Sequence, residues 1–260
     1  MNNLRGIKVQ NYKFASLFFI CLFFAINLSA GSAGKVYTYE TQEIVLYPTA
    51  GLISNNQLFN LDFLANDVLI LSFETMVIKD LSIGGSLAIR DLLGNTNKFG
   101  LENFPAITIK YRFLNEDKYY PAMMIGFDSK NFLNLQVNTT EQFHHSIGPF
   151  LILSKAFSWQ LGILEVHLGA NIPIEFNPNH KGNFFFGVEH TLNNFASVAV
   201  EYDFNGANNK KGLLDKGIIN LGLKYSIDRN VTLQYFMLDV FSQNFKTYKI
   251  FKVQFISKIF

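Results

Sequence analysis

Glu165 and His167 stand two residues apart in ILEVHLGA, where apolar and polar residues alternate. On an extended strand, residues i and i+2 leave from one face, so this carboxylate and imidazole are neighbours. Such a pair can serve as base and orienter for a nucleophile, but no serine is spaced in the sequence to complete the site. His144, His145 and His180 fall in polar links and read as solvated. His190 falls on the apolar parity near a strand end, an interfacial position. The single cysteine, Cys21, lies in an N-terminal apolar run, so the remaining chain has no thiol nucleophile, disulfide or Cys-based metal site. No phosphate loop, dinucleotide fingerprint, zinc spacing or EF-hand loop occurs. Neither an enzyme, a cofactor nor a metal is expected.

A second constellation is larger. Arg90, Lys110, Arg112 and Lys224 each fall on the polar side of an alternating stretch, as do Glu165, Glu189, Glu201 and Asp203. Asp62, Glu74, Asp128 and Lys252 share that parity. Charges of both signs on one surface can pair into a salt-bridged interior, or they can form rings that select a solute in a narrow pore. The sequence leaves both readings open. Arg90, Lys110, Arg112, Glu165, His167, Glu189, Glu201, Asp203 and Lys224 are the candidate pore-lining residues.

The elements that position these side chains are strands. Phe184 to Phe204 reads FFFGVEHTLNNFASVAVEYDF. Phe184, Phe186 and Val188 share a face, opposite Phe185, Gly187 and Glu189. After an Asn193-Asn194 turn, Val198, Val200 and Tyr202 oppose Ala199, Glu201 and Asp203. A period of two marks a strand, and each run of about nine or ten residues suits a tilted membrane crossing. The pattern repeats near 57–65, 68–78, 81–91, 104–114, 119–128, 146–155, 159–170, 182–192, 196–205, 218–227, 231–241 and 246–256. Twelve strands is an even number, as in bacterial single-chain barrels. Short turns at Lys79-Asp80, Asn115 to Lys118, Ala156 to Ser158, Asn193 to Phe195 and Asp228 to Asn230 interleave with mostly longer links, Asn66-Asp67 being the exception. The expected fold is all-β, an antiparallel up-and-down transmembrane β-barrel of about 12 strands with both ends at the short-turn side.

Composition agrees. Charged residues are 16% and aromatics 15%, with 28 Phe, against about 25% charged in a typical soluble domain. A soluble β-sandwich would show the same alternation, but strand length, Phe load and alternating links favour the barrel. No apolar run reaches the roughly 20 residues of a membrane helix. Arg5, Lys8 and Lys13, then an apolar run of 13 residues from Phe14 to Ile26, then small residues, read as a secretory signal peptide over 1–33, cleaved between 30 and 34. Removing those three from the 22 Lys and Arg leaves 19 against 20 acids, a net of −1. No basic stripe remains for nucleic acid. Residues 34–56, broken by Tyr47-Pro48-Thr49-Ala50-Gly51, are a periplasmic lead-in or first strand. Residues 57–260 are the barrel, placed in the bacterial outer membrane with its lipid as solvent.

The order YPTAGLISNNQLFNLDF, LSIGGSLAI and FPAITIKYRFLNEDKYYPAMMIGFDS resembles the outer-membrane barrel family associated with exopolysaccharide biosynthesis and export. The resemblance spans 82 residues of Tyr47 to Asp128 and implies a Gram-negative-type envelope barrel serving polysaccharide secretion or envelope assembly. It brings no catalytic residue. A terminal Phe260 resembles the C-terminal signal that the barrel insertion machinery reads. Twelve-stranded barrel phospholipases carry their His and Ser on the outer surface, whereas His167 has inward parity. The expected function is therefore a narrow channel or an exopolysaccharide accessory, with polysaccharide or a small solute as partner. The alternative is a structural or adhesive barrel with a plugged lumen and binding outer loops.

Overall fold

The computed structural model describes residues 40–53, 56–64, 67–91, 100–101, 105–131, 146–159, 162–174, 182–192, 195–204, 217–228, 230–241 and 248–258. The signal segment, His144, His145, His180 and Phe260 lie outside the described residues, as does most of each longer link. The strands are β1 (Asn56–Leu64), β2 (Val68–Ile78), β3 (Leu81–Arg90), β4 (Gly100–Leu101), β5 (Ala106–Leu114), β6 (Ala122–Asn131) and β7 (Ser146–Trp159). They continue with β8 (Gly162–Asn171), β9 (Asn183–Thr191), β10 (Ala196–Asp203), β11 (Ile218–Ser226), β12 (Val231–Leu238) and β13 (Tyr248–Lys258). All pairings are antiparallel, and β1 pairs along its length with β13, which closes the sheet. The two-residue β4 lies against Ile89 and Arg90, while β5 takes Leu81 to Ser86 on the same side of β3. They share one position, so the fold is a closed antiparallel barrel of twelve strands. Closure removes the sheet edges that would otherwise leave backbone donors bare in lipid.

Alternation sorts the wall into two surfaces. Phe59 and Phe63 of β1, Ile107, Ile109, Tyr111 and Phe113 of β5, Phe184 and Phe186 of β9, and Phe251 and Phe255 of β13 are exposed on the outside. Phe59 sits across from Phe73, with ring centroids 5.0 Å apart, and Phe63 across from Phe251 at 6.3 Å. The inward parity carries the buried set, including Asp62, Ser82, Lys110, His167, Glu201 and Lys252. Inward aromatics lie over glycines of the neighbouring strand: Phe150 over Gly126 and Phe185 over Gly169, where an added Cβ would meet the ring at 2.3 and 2.1 Å. A large ring can turn into the lumen only where its neighbour has no side chain, the compensation seen when an aromatic covers a strand glycine.

Two of the expected turns fall elsewhere. Ala156 to Ser158, read as a turn, are strand: Ala156 pairs with Glu165 and Phe157 with Leu164. The AFSW run keeps the period of two, so the ladder continues until residues 160–161. Tyr119 and Tyr120, read as strand, stand before β6. Asp117 Oδ1 accepts their N–H groups at 2.7 and 2.6 Å, a local carboxylate turn that competes with pairing. Those two bonds hold the Asp117 carboxyl below its ordinary value.

The registers place the turns 79–80, 115–121 and 227–230, with Asn56 and Lys258, at one end of the barrel. This is the turn end; the longer links lie at the loop end. Residues 40–53 belong to neither surface. They fold back as a hairpin, with Glu43 bridging Pro48, Ile44 N–H donating to Tyr47 O at 2.8 Å and Thr49 N–H to Gln42 O at 3.0 Å. Ile44, Val45, Leu52 and Ile53 are at most 1% exposed, and their partners are inward residues of the wall.

Candidate functional site

The site is the lumen, filled by the hairpin. At its tip, the N–H groups of Val45, Leu46 and Tyr47 donate to one oxygen, Glu201 Oε2, at 3.1, 3.0 and 3.0 Å. Asn220 Nδ2 donates to the other carboxylate oxygen at 2.8 Å. Successive N–H groups converging this way form an anion-binding nest, here occupied by a wall carboxylate. Tyr47 lies flat on Phe185, with centroids 4.1 Å apart and planes 10° apart. Its hydroxyl donates to Asp203 at 2.8 Å and accepts from Asn183 Nδ2 at 2.8 Å. Burial and the charge of Asp203 hold this phenol protonated, well above its ordinary value. Ile44 rests in the gap left by Gly187, where a Cβ would come within 2.5 Å of it.

Further from the tip, lysines take over. Glu43 is held by Lys252 through Oε2, with Lys130 3.8 Å from Oε1. Burial alone would raise the Glu43 carboxyl, but Lys252 and Lys130 outweigh it and set it at about 2. Lys224 donates to the Glu43 carbonyl at 2.6 Å and to Glu189 at 2.5 Å. Nearer the turn end, Arg112 pairs with Glu40, donates to Ala50 O at 3.4 Å and lies 3.7 Å from Asp80. The hairpin thus runs from the turn end almost to the loop end and meets both walls.

Of the nine residues read as pore-lining, Arg112, Glu201, Asp203 and Lys224 bond the hairpin directly. Glu189 reaches it through Lys224. Lys110 pairs within the wall, 2.8 Å from Glu74, whose other oxygen accepts from Ser82 at 2.6 Å. Arg90, at the loop end of β3, makes no hydrogen bond to the hairpin among the described residues. His190 is outward and half-buried.

Glu165 and His167 acquire a third member. Ser154 Oγ lies 2.9 Å from His167 Nδ1, and His167 Nε2 lies 3.7 Å from Glu165 Oε2. The serine also accepts the Ala50 N–H at 2.9 Å, and His167 is 1% exposed. A nucleophile needs an open approach for the reacting atom, and the hairpin backbone occupies it. What the arrangement does here is anchor Ala50.

Ser154 escaped the sequence because the turn was placed at Ala156 to Ser158, which would set Ser154 beside the turn. The strand's continuation to Trp159 pairs it with His167. Lys130, assigned by sequence to a link, escaped in the same way, since β6 runs to Asn131 and turns this lysine inward. The alternation of AFSW was the available signal for Ser154; FDSK, polar after Phe127 and irregular in register past Asp128, gave none for Lys130.

A closed even-numbered barrel, apolar outside, with short turns and both strand termini at one end, is the bacterial outer-membrane form of membrane-spanning sheet. The chain is an outer-membrane β-barrel. No protein-family model and no curated protein sequence matches it, so the resemblance to exopolysaccharide-associated barrels rests on the quoted residues alone. Solved structures do match. The NanC porin is 10% identical with a TM-score of 0.40, over 78% of this chain and 100% of that one. Outer membrane phospholipase A from Escherichia coli is 12% identical with a TM-score of 0.37, over 79% and 92%. A loop L8 deletion mutant of OmpT from Vibrio cholerae is 10% identical with a TM-score of 0.31, over 78% and 97%. At such identities no residue role transfers.

Proposed function

We propose that this protein is a closed outer-membrane barrel, its lumen held shut by its own segment 40–53 and its contacts with partners made at the loop end. The lipid belt seats it in the outer membrane after delivery by the insertion machinery. The observation behind this reading is the hairpin itself: wall charges that could have lined a pore are spent on its backbone, on Glu43 and on Tyr47. No catalytic step belongs to it, because Ser154 and His167 are committed to Ala50. A narrow channel for a small solute, or a path for exopolysaccharide, requires the hairpin to leave. Full-length protein in planar bilayers is expected to give no steady conductance at either polarity. Steady conductance from the unmodified chain would overturn the closed-lumen reading.

A further inference from the structure

We propose that the hairpin is a releasable plug, and that its release opens a path preferring small cations along the acidic face of β8 and β10. This rests on the closed-lumen reading above. Three observations carry it. First, the hairpin pairs with no wall strand; among the described residues its only bridge is internal, between Glu43 and Pro48. Its covalent tie to the barrel is the short step from Ile53 to Asn56, at the turn end. It can therefore withdraw as a unit without breaking a ladder.

Second, four of the wall cations that surround it have wall partners of their own. Lys110 keeps Glu74 at 2.8 Å, Lys224 keeps Glu189 at 2.5 Å, and Lys252 keeps Asp62 at 3.5 Å. Arg112 keeps Asp80 at 3.7 Å. Withdrawal leaves no stripped cation among these four, which is the usual obstacle to emptying a charged interior. Third, the acids are not matched in the same way. The partners of Glu201 are three hairpin N–H groups and Asn220, and Glu165 lies 3.7 Å from His167 Nε2, which makes no hydrogen bond among the described residues. Once the hairpin is out, Glu201 faces water without a cation bonded to it and Glu165 feels Lys224 only from beyond ion-pair distance, and inward acidic side chains favour cations in a pore.

The test evicts the hairpin from the intact chain. Gly187→Val places methyl groups where Ile44 sits, on a wall strand that a β-branched residue suits. Tyr47→Ala removes the stack on Phe185 as a second, independent route. Folding of each is checked by its unboiled mobility on SDS gels. In planar bilayers with a KCl gradient, either variant is expected to conduct, with a reversal potential on the K+ side. Adding Glu165→Gln and Glu201→Gln to Gly187→Val should move that potential toward zero. Folded variants that stay silent beside a silent wild type would overturn release alone. Conductance without K+ preference, or with a preference that the two Gln substitutions leave in place, would overturn the cation path. A wild type that conducts would overturn the closed lumen on which both rest.

Discussion

The two faces of the same twelve strands obey different rules. The outer face meets a fluid solvent that asks only for apolarity, so Phe, Ile, Leu and Val succeed one another with little consequence for which stands where. The inner face meets one folded segment of the same chain. Phe185 must lie under Tyr47, Gly187 must be empty for Ile44, and Glu201 must reach three particular N–H groups. One surface is specified by composition, the other by position. Tolerance to substitution should divide the same way.

The largest effect is expected inside. Glu201→Ala leaves three buried donors without an acceptor, at about 1–3 kcal/mol each, several kcal/mol in all against docking of the hairpin. Amide exchange at Val45 to Tyr47 should become fast while wall amides stay protected; unchanged protection would show that the nest is not what holds the tip. Outside, a neutral swap should do little, but a charge should not. Ile109→Arg, midway along β5, is expected to cost about 2–4 kcal/mol of barrel folding, read by urea titration of refolding in lipid. An unaffected midpoint would mean that this face does not meet hydrocarbon.

The smallest effect is one of pH. Glu43, held at about 2 instead of 4.5, favours docking only while ionised. That contribution is complete above pH 4.5 and is lost as pH falls toward about 2. A fluorinated Tyr47 should report a docked ring at neutral pH and a loosened one near pH 2. The same spectrum at both would remove the Glu43–lysine contacts from the holding of the hairpin.

Much of the wall could be read without coordinates because its information is local. Period-two runs give each strand and its faces, and the count of twelve gives closure with both termini on one side. The inner parity of Lys110, Glu165, Glu201 and Lys224 followed from that pattern. Their partners did not, because register decides them. A turn misplaced by a few residues hid Ser154 from His167, and an early strand end hid Lys130. The hairpin was the least legible part. Its Ile-Val-Leu-Tyr run resembles a strand, and Pro48 and Gly51 mark a bend, but nothing near residue 45 announces a carboxylate 156 residues downstream.

That separation has a consequence for the order of assembly. Glu43 is held by Lys252, 209 residues away along the chain and on the strand that closes the cylinder. Contacts spanning so much sequence are made late, because the closure entropy must be met first. The hairpin precedes every described strand in the sequence, yet its binding surface is complete only when β13 has joined β1. The part of the chain that is synthesised ahead of the barrel is the part that must wait longest to find its place.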